Sequence, residues 1–200
     1  QFSTVELSLV SGRSMDTVTE ASLVRSSEAM EKDIVGLTYA NLAAEITMKM
    51  SAERQPDPRA YQLVDGVLGA IGMGISPQAA ASAFMIKRLY IDGMMPQLAA
   101  CSLCRAKDDL YWFSPETGGA LCPRCAAEAP GVMKFGAGAK ALAVALYRST
   151  WEQISGMQLD VEDEAELEAA LAAPWGSGPR LDRDAVARLV RRRVTRGSTM

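Results

Sequence analysis

The residues predict a mainly α fold, with a small cysteine-bearing β insert near its middle and a pair of strands in front. Three observations predict it. Apolar residues alternate before Val10, recur at helical spacing from Ser27 onward, and all four cysteines lie between Cys101 and Cys125. A period of two marks a half-buried strand, and a period between three and four marks an amphipathic helix.

In order, Thr4 to Val10 places Val5, Leu7 and Leu9 on one face and Glu6 and Ser8 on the other. Ser11-Gly12-Arg13-Ser14 is a turn, and Met15 to Ala21 is expected to return as a second strand. Two strands alone are marginal in water, and the chain opens at Gln1 directly into them. The expectation is therefore the tail end of a β-domain over 1–24, followed by a helical domain over 25–200. Val35, Tyr39, Leu42, Ile46 and Met50 trace the first long helix, with Gly36 weakening it. Asp57-Pro58 and Ser76-Pro77 are helix starts, an N-cap followed by proline at the first helical position. Tyr61, Val64, Leu68 and Ile71 are expected to be buried on the first of these helices. Phe84, Met85, Leu89 and Ile91 are expected on the second, with Lys87 and Arg88 on its opposite side. A further helix is expected over Ala139 to Ile154. The acidic run Asp160 to Glu168 surrounds a short helix carrying Leu167 and Leu171 and reads as a solvated face. Pro174 to Pro179 is a linker by composition, and Asp182 caps a last helix lined by Val186, Val190 and Val194.

The cysteines form Cys101-x-x-Cys104 and Cys122-x-x-Cys125, separated by 17 residues. This spacing is that of a four-thiolate zinc site. Two tight knuckles point four sulfurs at one metal and close a tetrahedral shell with no open position, so the ion is structural. Disulfides and a redox C-x-x-C are the alternatives. Four cysteines are sparse for a disulfide framework, and a redox pair does not come duplicated. Leu110 to Phe113, a turn at Ser114 to Gly119, and Ala120-Leu121 read as a hairpin between the knuckles. The insert is expected to span about 96–127.

Composition narrows the function. With 200 residues the chain is one substantial domain or two small ones. The net charge is −3 and the pI about 5.1, so nucleic-acid binding would need a local basic patch. No apolar run reaches membrane-spanning length. Thiolates in a metal site imply a reducing compartment, most simply cytosol. The chain has no histidine, which removes Ser-His-Asp and Cys-His catalysis and the usual neutral-pH base.

One basic patch stands out. Arg180, Arg183, Arg188, Arg191, Arg192, Arg193 and Arg196 carry seven positive charges against Asp182 and Asp184, a net +5. Guanidinium groups pair bidentately with phosphates, which makes a nucleic-acid backbone a candidate ligand; a solvated helix face balancing the acidic run is the alternative. Lys87, Arg88, Arg105, Lys107 and Arg124 would widen that patch if the knuckles fold beside it. Tyr111, Trp112 and Phe113 are candidates for base stacking or for packing beside the knuckles. Gly136-Ala137-Gly138-Ala139-Lys140 fails the spacing of a phosphate-binding loop, and Met94-Met95 offers an adaptable contact surface.

With these residues placed, the chain resembles the RecO family of bacterial DNA repair and recombination proteins. The resemblance rests on Gly93-Met94-Met95-Pro96-Gln97-Leu98 before the first cysteine pair, Phe113-Ser114-Pro115, Gly118-Gly119, and the second pair. It covers most of residues 1 to about 155. It implies an OB-fold barrel, of which residues 1–24 would be the last strands, followed by a helical domain with a zinc module. It also implies Cys101, Cys104, Cys122 and Cys125 as ligands of one structural zinc ion, and no enzymatic activity. The implied work is binding and annealing single-stranded DNA and placing RecA on coated strands. RecR and single-stranded-DNA-binding protein are the implied partners, in the bacterial cytoplasm at the nucleoid and away from membranes. The segment from Pro174 matches only loosely, so Arg188, Arg191, Arg192, Arg193 and Arg196 as DNA contacts, with Lys87 and Arg88, are read from the residues alone. The competing classes are a zinc-stapled protein–protein scaffold that touches no nucleic acid and a thiol redox enzyme.

Overall fold

A computed structural model describes residues 2–52 and 55–172. The leading strands are β1 (Thr4–Val10) and β2 (Thr17–Arg25), an antiparallel hairpin. Val5 faces Leu23, Leu7 faces Ala21 and Leu9 faces Val18, so the apolar residues of both strands share one face. The second strand starts later than expected and runs on to Arg25. The expected buried face of β1 is exposed: Val5, Leu7 and Leu9 are 48%, 46% and 54% exposed. Alternation creates an apolar face, but among the described residues no second layer covers it. The hairpin is tied to the helical body through polar groups instead. Arg25 pairs with Asp65, whose carboxylate also accepts from the Thr4 hydroxyl at 3.2 Å.

After a short α1 (Glu28–Glu31), α2 (Ile34–Met50) begins at Asp33, whose side chain accepts from the Val35 N–H. Tyr39 and Ile46 are buried as expected, and Val35, Leu42 and Met50 pack at the core margin. The stripe is completed by Gly36, Ala40 and Ala43, which let α2 approach its neighbours closely. A Cβ on Gly36 would sit 3.0 Å from the Ile71 methyl, at the limit of what packing allows.

Asp57 caps α3 (Pro58–Gly72) by accepting from Ala60 N–H at 3.0 Å, and Ser76 caps α4 (Pro77–Ile91). The buried face of α3 is Ala60, Leu63, Val67, Ala70 and Ile71. Tyr61, expected inside, is exposed, while Val64 and Leu68 lie at the edge. The small alanines, invisible to a search for bulky apolar residues, are what faces inward. The central helix is α4: it packs against α2, α3 and two later helices, α6 (Ala137–Arg148) and α8 (Val161–Ala172). Ala79 through Ile86 are all buried, which is how a helix surrounded by others reads.

Between α4 and α6 lies the cysteine module. Strand β3 (Trp112–Ser114) sits between β4 (Gly119–Leu121) and β5 (Met133–Lys134), with all pairings antiparallel. The hairpin was expected; the third strand was not. A single turn, α5 (Pro123–Ala126), carries the second knuckle. Phe113 and Phe135, with ring centroids 5.3 Å apart, anchor this sheet in the main core.

The expected helix over Ala139 to Ile154 is two. After α6 the chain breaks at Ser149, and α7 (Trp151–Ser155) restarts with a capping box between Thr150 and Gln153. The acidic segment forms α8, with Leu167, Ala170 and Leu171 buried. Several of its carboxylates hold the fold together, contrary to the expected solvated face. Glu166 accepts from Gly136 N–H at 2.6 Å and pairs with Lys134 at 3.0 Å. Glu168 accepts from the Tyr39 hydroxyl at 3.3 Å and from Gln78 Nε2 at 2.9 Å.

Candidate metal centre

Each knuckle is built from backbone hydrogen bonds. Cys101 N–H donates to Ala106 carbonyl at 2.7 Å, and Arg105 N–H returns to Cys101 carbonyl at 3.0 Å. Arg105 takes φ 65° to close this loop, a left-handed conformation unusual for a side chain of its size. In the second knuckle Pro123 opens α5, and Ala126 N–H and Ala129 N–H donate to the carbonyls of Cys122 and Cys125. Ser102 N–H donates to Ala120 carbonyl at 2.9 Å, joining the first knuckle to β4. The loops thus bring together two cysteine pairs that are well apart in the chain.

All four sulfurs lie within 4.8 Å of one another. Cys104 Sγ and Cys122 Sγ are 3.7 Å apart. A tetrahedron with metal–sulfur bonds of ~2.3 Å has an edge of ~3.8 Å, so this spacing fits one ion. The electrostatics point the same way. Burial opposes ionisation of Cys101, yet N–H groups from Cys104, Cys122 and Leu103 outweigh it and bring the thiol down to about 6. Hydrogen bonding to Cys104, then burial and the other sulfurs, pushes Cys125 up to about 12. Thiolates this close repel one another, and a divalent cation at their centre removes that conflict. Cys101 and Cys122 are buried, Cys125 is half-buried and Cys104 faces solvent. Their buried apolar neighbours are Leu110, Ala120 and Leu121, with Ala126, Ala129 and Val132 at the margin, a cluster separate from the main core. The sheet of the module is anchored through Phe113 and Phe135, so a metal ion would chiefly hold the two knuckles to each other.

The expected nucleic-acid contacts fare differently. Arg188, Arg191, Arg192, Arg193 and Arg196 lie outside the described residues. Arg88 does not reach the surface: its side chain is 2% exposed and bonds Asp92 Oδ2 at 2.8 Å. It also donates to Met50 carbonyl at 3.4 Å and stands 3.8 Å from Asp57 Oδ2. It ties the end of α2 to the start of α3 and the end of α4, so it offers no charge to phosphate. Lys87 is half-buried and its ammonium donates to the Tyr147 and Ser149 carbonyls at 2.7 and 2.9 Å. It satisfies the C-terminal end of α6. Burial lowers its basicity. Phe113 is packed, while Tyr111 and Trp112 are 51% and 38% exposed. Arg124, considered only as a surface cation, has its charged form favoured by the neighbouring cysteine sulfurs, Cys104 first. Its position directly before Cys125 was the signal. Among the described residues no helix is long and apolar enough to cross a membrane.

A helical body bearing four clustered cysteines that could hold a metal ion defines the class of protein, and similarity to known proteins gives it a family. The family described as Recombination protein O C terminal matches residues 31–186. The DNA repair protein RecO of Symbiobacterium thermophilum is 32% identical over 177 residues, 86% of this chain and 70% of that protein. The DNA repair protein RecO of Halalkalibacterium halodurans is 23% identical over 157 residues, 78% of this chain and 62% of its own length. That of Listeria innocua is 28% identical over 114 residues, 57% of this chain and 45% of its own. The chain belongs to the RecO family.

Proposed function

We propose that this chain is the helical, zinc-stapled part of a non-catalytic DNA repair and recombination mediator. Family membership across residues 31–186 is the observation that carries this reading. The relatives it resembles are named DNA repair proteins. In this reading the protein binds and anneals single-stranded DNA. It works with RecR and single-stranded-DNA-binding protein, and it helps place RecA on coated strands in the bacterial cytoplasm at the nucleoid. The hairpin of β1 and β2 belongs to an OB-fold barrel, which accounts for its uncovered apolar face. One zinc ion sits between Cys101, Cys104, Cys122 and Cys125. It would neutralise the crowded thiolates and hold the two knuckles together, with no open position for a reaction.

Phosphate contacts fall to Arg188, Arg191, Arg192, Arg193 and Arg196, since Lys87 and Arg88 serve the fold. Replacing Arg191, Arg192 and Arg193 together by Ala should lower single-strand affinity. It should also reduce the slope of log affinity against log salt by ~2, three contacts at ~0.7 each. Titration of a fluorescent oligonucleotide at several salt concentrations reads both quantities. An unchanged slope removes the arginines from the interface. Retained RecR binding with no DNA binding at any salt concentration points instead to an interaction scaffold.

A further inference from the structure

The last turns of α4 and α6 meet at an aromatic pair on the surface. Lys87 lies one turn before Tyr90 on α4, and its ammonium holds the Tyr147 and Ser149 carbonyls at the end of α6 at 2.7 and 2.9 Å. Tyr90 and Tyr147 are thereby set side by side, with ring centroids 5.1 Å apart and planes tilted by 58°. Tyr147 packs partly against the core, while Tyr90 is 56% exposed. Lys140, Val144 and Tyr147 recur at spacings of four and three along α6, which puts them on one stripe. Val144 is exposed, and Arg148, next in the chain after Tyr147, faces solvent as well.

Charge selects what this face takes. Neither α4 nor α6 contains an acidic residue, and together they carry Lys87, Arg88, Lys140 and Arg148. Lys87 and Arg88 serve the fold, but Lys140 and Arg148 have no ion-pair partner among the described residues. The negative ends of two helices lie here, which would disfavour an anion. Both tyrosine carbonyls are already occupied, however: Gly93 N–H donates to that of Tyr90 and Lys87 to that of Tyr147. A cationic surface carrying aromatic rings suits an unpaired strand, because cations meet its phosphates and rings stack its bases. We propose that Tyr90 and Tyr147 form a base-stacking platform for single-stranded nucleic acid, with Lys140 and Arg148 on the flanking phosphates. The proposal rests on the DNA-binding reading above and gives it a site within the described helices.

Stacking needs a free π face rather than a particular base edge, so the platform tolerates any sequence. Tyr90 supplies the face, and Tyr147, held by the core, fixes its angle. An acidic peptide shares the charge complementarity. Its affinity comes from apolar side chains seated in a groove, whereas the apolar groups here are rings at the surface, Tyr90 more than half exposed. The rings therefore favour a base over a peptide. Lys87 acts at this site only as a positioning residue, through its bonds to the end of α6.

The test titrates the full chain with a fluorescent oligothymidylate, and with an abasic strand of the same length, at several salt concentrations. No binding of either strand by the unsubstituted protein refutes the DNA-binding reading and the proposal with it, an outcome distinct from any result with the variants. Tyr90→Leu removes the ring, keeps apolar area and spares the core. It should weaken oligothymidylate binding about 5-fold, the lower end for one stacked base, at an unchanged salt slope. Affinity for the abasic strand should not move, and Tyr90→Phe should bind like the unsubstituted protein. Arg148→Ala should weaken both strands and reduce the slope of log affinity against log salt by ~0.7. Arg59→Ala, an exposed cation on α3, should leave that slope unchanged. Equal losses on the two strands in Tyr90→Leu would make the ring a structural group and overturn the proposal. So would unchanged oligothymidylate binding in that variant; if it loses affinity for a synthetic Glu/Leu peptide instead, the face belongs to a protein partner.

Discussion

Replacing Arg88 by Ala tests whether its charge serves the fold or a ligand. The guanidinium is 2% exposed and its strongest partner, Asp92, is 14% exposed. Removal deletes a charged hydrogen bond at 2.8 Å and a backbone bond to Met50, and weakens the hold on Asp57. It also leaves Asp92 largely buried and uncompensated. Breaking a buried pair by removing one partner costs ~3–5 kcal/mol. The lower end applies here, because Asp57 is 35% exposed and water can replace its share. An expected loss of ~3 kcal/mol is a large part of a small domain's stability. Urea unfolding followed by circular dichroism measures it. Arg88→Lys recovers only part, since one ammonium cannot reach α2, α3 and α4 together. Oligonucleotide affinity per folded molecule should be unchanged. A variant of normal stability with weakened DNA binding would refute this reasoning and restore Arg88 to the interface.

Three further substitutions test other contacts. Burial and the nearby Glu168 carboxylate raise the carboxyl of Glu164 from 4.5 to about 7, and its Oε1 finds no hydrogen-bond partner among the described residues. The folded state therefore binds this proton more tightly than the unfolded state, so stability falls as pH rises from 4.5 to about 7. Glu164→Gln should gain ~1 kcal/mol at pH 8 after discounting for solvent screening, and nothing at pH 4.5; equal effects at both pH values would exclude the titration. Arg105→Gly should raise the melting temperature through relief of the left-handed backbone, worth ~1 kcal/mol, and a lower melting temperature would mean that the arginine side chain contributes more than its strain costs. Thr150→Ala removes the capping box that restarts the chain after α6 and should cost ~1 kcal/mol. A loss near zero would show that Lys87 alone holds that break.

Helix starts were readable because caps are local chemistry: Asp57-Pro58 and Ser76-Pro77 open α3 and α4 where expected. The break between α6 and α7 had a local signal as well, Thr150 followed by Gln153, but an uninterrupted apolar period masked it. Which face is buried was less readable. On α3 the expected Tyr61 points outward because alanines set the closest approach of helices, and a bulky-residue pattern does not register them. The strand β5 escaped because two residues, Met133-Lys134, are too short for any period. The cysteine module was the most readable part. The clustering of its four cysteines follows from two C-x-x-C knuckles and needs little from the rest of the chain.

Charge was the least readable property, for a physical reason. A sequence gives the sign of a side chain but not its partner, and burial depends on every element around it. Even so, Arg88 carried a signal. It follows Ala79 to Ile86, a run with no polar face, and Asp92 stands four residues later on the same side. A cation on a helix apolar all round must be buried and paired, because an unpaired charge there costs more than a small domain can offset. Glu166 and Glu168 reverse the same lesson: in an acidic run that reads as solvated, α8 uses them to grip Gly136, Lys134, Tyr39 and Gln78. The cations left to meet a phosphate are those the fold does not consume. Among the described residues that criterion removes Lys87 and Arg88 and keeps the exposed Arg105 and Lys107, while the arginines beyond residue 187 lie outside the described residues and are tested by substitution.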